Sequence, residues 1–220
     1  MEINAIIKER HSVRTFKNDK IDENILKELY SEIEKANKDG NINMKLVLNE
    51  PNAINTYKNS RFKNADNYIV LKGIKSNDLY EKCGYYGEKI VLKAQELGLN
   101  TCWIAGTYNK KLVKKYLEQN EKLVCIIAIG YGENVGMPHK NRSIDNLCKF
   151  KGDMPRWFLN GTYSAMDAPT ALNQQKFKFV LVDENSVHAK RTGGVYSKID
   201  LGIVKYHFEV VAGKENFKFV

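Results

Sequence analysis

Arg10, Ser12 and Arg14 stand at alternate positions just after a short apolar stretch, Ile3, Ile6 and Ile7. The planar fork of an arginine suits phosphate oxygens, and a serine hydroxyl adds a further donor. A second basic pair, Lys140 and Arg142, lies far downstream, beyond an apolar run and the glycines Gly130 and Gly132. If the two pairs converge they hold a small phosphorylated ligand. If they do not, they are ordinary solvated charge, and spacing leaves both readings open. Trp103-Ile104-Ala105-Gly106 puts small residues after a bulky pair. Backbone N–H groups there can approach a planar ligand closely, or the segment is a simple turn with Trp103 in the core. Thr170, Asn173 and Gln175, after Ala168-Pro169, offer short donors and acceptors. They suit either the polar rim of a ring system or the loop's own backbone. His207, on the apolar face of a C-terminal helix, reads as a core histidine with satisfied hydrogen bonds.

The chain contains no Gly-x-Gly-x-x-Gly, Walker-type loop, Gly-x-Ser-x-Gly or His-Glu-x-x-His. No catalytic side chain and no metal are expected, so hard chemistry would fall to a bound cofactor. Cys83, Cys102, Cys125 and Cys148 form no Cys-x-x-Cys pair and sit among apolar or aromatic neighbours, which predicts buried free thiols and a reducing compartment. Net charge is +9, from 35 basic and 26 acidic residues, but the lysines are dispersed and read as wet helix faces rather than a nucleic-acid surface. With no signal-peptide pattern and no apolar run of about 20 residues, the reading is a soluble cytoplasmic protein that binds neither nucleic acid nor membrane.

The elements that must position these groups alternate between helix and strand. Asn4 to Glu9 predicts a short helix delivering Arg10. Asp22 caps a longer helix through about Ala36, with Ile25, Leu26, Leu29 and Ile33 on one face. Met44 to Leu48 and Tyr68 to Leu71 read as strands, separated by a long polar loop over 49–66. Leu79, Cys83, Tyr86, Ile90, Val91, Ala94 and Leu97 mark a helix from about Asn77, stopped by Gly98. Asn109 caps a further helix, and Leu123 to Ile129 is a buried strand. The remainder predicts a turn-rich stretch, a strand over 177–182, a helix from about Ile199 to Ala212, and a last strand around Phe217 and Phe219. This is an α+β arrangement over one 220-residue domain.

Taken together, the motifs resemble the nitroreductase family of FMN-dependent oxidoreductases. That family opens with Arg-x-Ser-x-Arg-x-Phe/Tyr, here Arg10-His11-Ser12-Val13-Arg14-Thr15-Phe16. Its Gly-Leu-Gly-Thr-Cys-Trp-Ile-Gly-Gly turn resembles Gly98-Leu99-Asn100-Thr101-Cys102-Trp103-Ile104-Ala105-Gly106, and its Gly-Tyr and Lys-x-Arg resemble Gly130-Tyr131 and Lys140-Asn141-Arg142. Its Ala-Pro-Ser-x-x-Asn-x-Gln segment is similar to Ala168-Pro169-Thr170-Ala171-Leu172-Asn173-Gln174-Gln175. In most members that segment follows the opening motif. Here it comes in the C-terminal third, as in a branch of the family with this segment order.

The resemblance implies a nitroreductase-like fold, with a mixed, mainly antiparallel sheet flanked by helices, and FMN as cofactor. NADH or NADPH would supply a hydride, and a small acceptor such as a nitroaromatic or quinone would receive the electrons. Arg10, Ser12, Lys140 and Arg142 would hold the FMN phosphate, and Arg14 would lie near the pyrimidine edge. The backbone around Ala105 and Gly106 would face the ring, and Thr170, Asn173 and Gln175 would contact ribityl or ring atoms. His11, Ile104 and Pro169 complete the expected set. Usual members are homodimers whose Asn/Gln segment reaches the partner's flavin. Residues 1–150 would then form the core with the phosphate motifs, and 151–220 would imitate part of a partner. A single-chain pseudo-dimer with one flavin and a homodimer with two both follow. A flavin-binding sensor or storage protein without turnover is the alternative function.

Overall fold

A computed structural model describes residues 2–54 and 61–220. Helix α1 (Ile3–Glu9) buries Ile6 and Ile7, and the chain leaves it extended at Arg10. Helix α2 (Glu23–Gly40) opens where the Asp22 carboxylate accepts from the Asn24 N–H at 2.8 Å. It runs to Gly40 rather than Ala36 and ends where Asn41 turns left-handed at φ 47°. Strands β1 (Lys45–Val47) and β2 (Tyr68–Ile74) are separated by a loop containing a 3₁₀ turn, Pro51–Ala53. Part of the polar loop expected over 49–66, residues 55–60, lies outside the described residues. Helix α3 (Leu79–Glu96) is followed by Gly98 at φ 79° and by β3 (Asn100–Ile104). Asn109 caps α4 (Lys110–Val113) through the Leu112 N–H, but a 3₁₀ turn over Lys114–Tyr116 cuts this helix short. That turn aims the Tyr116 hydroxyl at Glu50.

With β4 (Glu121–Gly130), the first sheet is antiparallel in the order β1-β2-β4-β3. It is covered on both faces. Ile69, Leu71, Cys125, Ile127 and Ile129 enter one core, while Tyr68, Val70, Ile126 and Ala128 enter another. Burial on two sides explains the unbroken apolar run in β4.

The second half holds α5 (Ile144–Leu147), β5 (Cys148–Lys149), α6 (Arg156–Met166), β6 (Phe177–Leu181), β7 (Ser186–Arg191), α7 (Ser197–Ala212) and β8 (Lys218–Phe219). The second sheet runs β5-β6-β7-β8, antiparallel only between β6 and β7. Its inner face carries an aromatic cluster in which Phe179 stacks on Phe208 at 4.5 Å and Trp157 on Phe217 at 5.5 Å. The fold is α+β, with its strands divided between two sheets rather than gathered in one.

Helices α3 and α7 cross in reciprocal contact. A β-carbon on Gly84 would fall onto the Ile199 carbonyl, and one on Gly202 onto the Glu81 carbonyl. Tyr68 and Ser186 open β2 and β7, Leu79 and Ser197 open α3 and α7, and Asn100 and Lys218 open β3 and β8. Each of these pairs, like Gly84 and Gly202, is 118 residues apart. The strand–helix pairs β2–α3 and β7–α7 are thus related by an approximate two-fold axis at the helix crossing, while β8 pairs directly with β7 and β4 stands between β2 and β3. All four cysteines are buried free thiols. Among the described residues, no helix is long and apolar enough to cross a membrane, and no group of residues could hold a metal.

Candidate functional site

The end of α1 drives Arg10 into the molecule, where it is only 3% exposed. Its Nη2 donates to the Asp167 carbonyl across a long 3.4 Å, and its Nε has no hydrogen-bond partner. The nearest carboxylate, Glu88 on α3, stands 3.8 Å from that Nε. Burial pushes the Arg10 pKa down, and the Glu88 charge opposes the shift. Ser12 then pairs with Thr101 beside β3, and the Val13 N–H donates to the Thr101 carbonyl at 3.0 Å. Arg14 is exposed, with its guanidinium 3.4 Å from the Ser12 carbonyl.

Asp167, at the end of α6, joins the distant segments. Its carbonyl accepts from Arg10, and its Oδ1 accepts from the Asn141 amide at 3.1 Å. Arg10 and the Lys140-Asn141-Arg142 segment therefore share one residue. A cavity of about 240 Å³ opens beside them, with Lys8, Arg10, His11, His139 and Asp167 among its walls. Burial, and then the Arg10 charge, hold His11 below its ordinary pKa. His139 is fixed through Nε2 against the Met166 carbonyl at 3.0 Å. Lys140 and Arg142 are exposed.

Gln175 is 1% exposed and its side chain binds the basic segment. Its amide donates to the Lys140 carbonyl at 2.9 Å and to Asn173 Oδ1 at 2.8 Å, while its Oε1 accepts from the Arg142 N–H at 2.9 Å. Asn173 also donates to the Lys140 carbonyl, and Thr170 Oγ1 accepts from the Gln175 N–H. These polar atoms are thus engaged between two loops. Half-buried Pro169 opens the same loop. Asp200 ties that loop to α7, accepting from the Ala171 N–H at 3.0 Å and the Gln174 amide at 3.2 Å. Burial raises the Asp200 pKa to about 6.

Ile104 is buried at the end of β3, Ala105 is half-buried and Gly106 is exposed. Tyr196, left-handed at φ 55°, holds its hydroxyl 2.8 Å from where a β-carbon of Gly106 would sit. The 104–106 turn is thereby approached by the second half of the chain.

Sequence reading missed Glu88, whose carboxylate accepts from Trp103 Nε1 at 2.8 Å and meets His207 Nε2 at 2.9 Å. The available signal was an acidic residue within the buried stripe Cys83, Gly84, Gly87, Glu88 and Val91 of α3. His207 is fully buried and bonded through both ring nitrogens.

Residues 2–212 match the family described as "Putative TM nitroreductase". The chain belongs to that family. Nitroreductases are oxidoreductases, and solved structures bearing that name share the fold. A nitroreductase of Thermotoga maritima superposes with a TM-score of 0.68 at 24% identity, covering 96% of this chain and 83% of that one. A structure from Bacteroides thetaiotaomicron, described as an NADH dehydrogenase/NAD(P)H nitroreductase, gives 0.55 at 23% identity, covering 66% of this chain and 95% of its own. An FMN-dependent nitroreductase of Clostridium difficile gives 0.51 at 21% identity, covering 64% and 92%. The last two nitroreductases thus span about two thirds of the present chain. No curated protein matches the chain.

Proposed function

We propose that this chain is an FMN-dependent oxidoreductase that takes electrons from NADH or NADPH and delivers them to a small organic acceptor such as a nitroaromatic or quinone. The observation that carries the reading is Arg10. A guanidinium has five donors. This one is almost wholly buried, makes a single long hydrogen bond among the described residues, leaves its Nε without a hydrogen bond 3.8 Å from Glu88, and belongs to a residue that lines a cavity. Burying a guanidinium with most of its donors unused is costly, and a ligand anion removes the deficit. The residues therefore fit a flavin phosphate.

Arg10 and Ser12 would bind the phosphate from one side, and Lys140 and Arg142 from the other. His11 and His139 would line its approach. Gln175 and Asn173 would orient the Lys140–Arg142 backbone, with Thr170 holding the Gln175 N–H, a positioning role consistent with their hydrogen bonds. Arg14 would place positive charge near the pyrimidine edge, favouring the reduced, anionic ring. The Ile104-Ala105-Gly106 turn would present backbone N–H groups to the ring. When bound, the flavin supplies the hydride and electron chemistry, and the protein supplies position, charge and a shielded slot.

The C-terminal third, carrying the Ala168–Gln175 segment, would act in place of a partner subunit. The 118-residue repeat and the reciprocal Gly84 and Gly202 contacts support this. Nitroreductase structures covering only about two thirds of the chain agree with it. One flavin per chain follows. The test is steady-state oxidation of NADH or NADPH by the FMN-loaded protein with a nitroaromatic or quinone present. Acceptor-dependent turnover is expected. Tight FMN binding without turnover would replace the enzyme reading with a sensor or storage one.

A further inference from the structure

We propose that His207 is held as an imidazolium and that, by taking up the charge of Glu88, it leaves the charge of Arg10 only partly compensated and ready for an anion. The proposal rests on the phosphate assignment above and deepens it.

Helix α7 delivers His207, α3 delivers Glu88 and β3 delivers Trp103 to one place, where His207 and Glu88 are both 0% exposed. His207 Nδ1 lies 3.1 Å from the Ser164 carbonyl, and Nε2 lies 2.9 Å from Glu88 Oε1. Both partners are acceptors. A neutral imidazole carries one N–H, so it would set a lone pair against one of these oxygens; a proton on each nitrogen satisfies both. A protonated Glu88 could instead donate to Nε2. Against this, the Trp103 N–H on Oε2 and the Arg10 charge beside the carboxylate both favour its ionised form. The bridging proton therefore belongs on the ring. The Ser164 hydroxyl, donating to the His207 backbone carbonyl at 2.7 Å, fixes α7 against α6 at this point.

Charge counting then gives the consequence. Of the two carboxylates that act on Arg10, Glu88 is taken up by His207, and Asp167, held by the Asn141 amide at 3.1 Å, is the one left to oppose the guanidinium, so the Arg10 charge is only partly met at the cavity wall. The distances agree, because Glu88 engages His207 and Trp103 within hydrogen-bond range but stays 3.8 Å from Arg10. A neutral His207 would leave the Glu88 charge to Arg10 alone, 3.8 Å away, and so weaken the pull of the guanidinium on the ligand. The positions 118 residues from Glu88 and His207 hold Tyr206 and Lys89, so the cluster is not repeated across the approximate two-fold axis. It marks a single anion site per chain.

The test combines two measurements on the full chain. In the ¹⁵N-histidine-labelled wild type, NMR should find both His207 ring nitrogens protonated at neutral pH; an unprotonated ring nitrogen overturns the proposal, whether or not FMN binds. FMN and riboflavin are then titrated into wild type, H207Q and E88Q/H207Q. H207Q should weaken FMN at least about tenfold while leaving riboflavin within about twofold, a selectivity set by the phosphate alone. Removing the Glu88 charge as well should restore most of the FMN affinity. Equal losses for FMN and riboflavin, or a double variant as weak as H207Q, contradict the proposal. If wild type ignores FMN altogether, the phosphate assignment fails while the NMR result still decides the proton count.

Discussion

Replacing Arg10 by alanine isolates the interaction on which the site depends. A charge-assisted hydrogen bond is worth roughly 1.5–3 kcal/mol, and about 1.4 kcal/mol is a factor of ten in Kd. A single bond from Arg10 to a phosphate oxygen thus sets a loss of about 10- to 150-fold in FMN affinity. A two-pronged contact would give more. The fold itself should lose little, for a reason visible in the structure. Arg10 makes one long hydrogen bond, and Glu88 keeps His207 and Trp103 as partners when the guanidinium is gone. The ligand-free Tm should therefore fall by no more than about 4 °C. Flavin fluorescence titrations with FMN and riboflavin in parallel give the readout. FMN should weaken at least tenfold and riboflavin hardly at all. An unchanged FMN Kd, or equal weakening of both flavins, would refute the assignment of Arg10 to the phosphate.

Gln175→Leu removes the side-chain bonds that hold Lys140 and Arg142 in place, and FMN affinity should fall by roughly three- to tenfold in the same titration. Gly202→Ala forces a methyl group onto the Glu81 carbonyl at the α3–α7 crossing; calorimetry should find Tm lowered by on the order of 5–10 °C. Asp200 keeps its proton up to about pH 6 when folded but releases it near 3.8 when unfolded. Between these values the folded state binds more protons at Asp200, so the contribution of this group to stability declines as pH rises. The difference between the urea midpoints of wild type and Asp200→Asn, measured from pH 4 to pH 7, should change with this sign.

Much of the fold was legible where one physical signal dominated. Helices α2, α3 and α7 carry apolar stripes with clear ends at Asp22, Gly98 and Gly213, and β4 is apolar because both of its faces are covered. Helix α6 was hidden. Between Phe158 and Met166 its buried face is built from Gly161, Thr162, Ser164 and Ala165, small residues that let it approach α7 closely and leave the apolar period faint. Strand β7, Ser186–Arg191, reads as polar because alternate side chains are wet, and its pairing with β6 is what makes it a strand. At the site, residue types pointed to Arg10 and to Lys140 and Arg142 separately. Their meeting through Asp167 depends on α6, the element the pattern concealed. Glu88 and His207 stayed unpaired on paper because the contact joins two helices more than a hundred residues apart.

A crystal structure of the FMN-loaded protein tests the central claim most directly. The account predicts one flavin per chain, with a phosphate oxygen at about 3 Å from the Arg10 guanidinium and the Lys140–Arg142 segment closing over it. A phosphate bound elsewhere, or Arg10 still turned only to Asp167 with FMN in place, would contradict it.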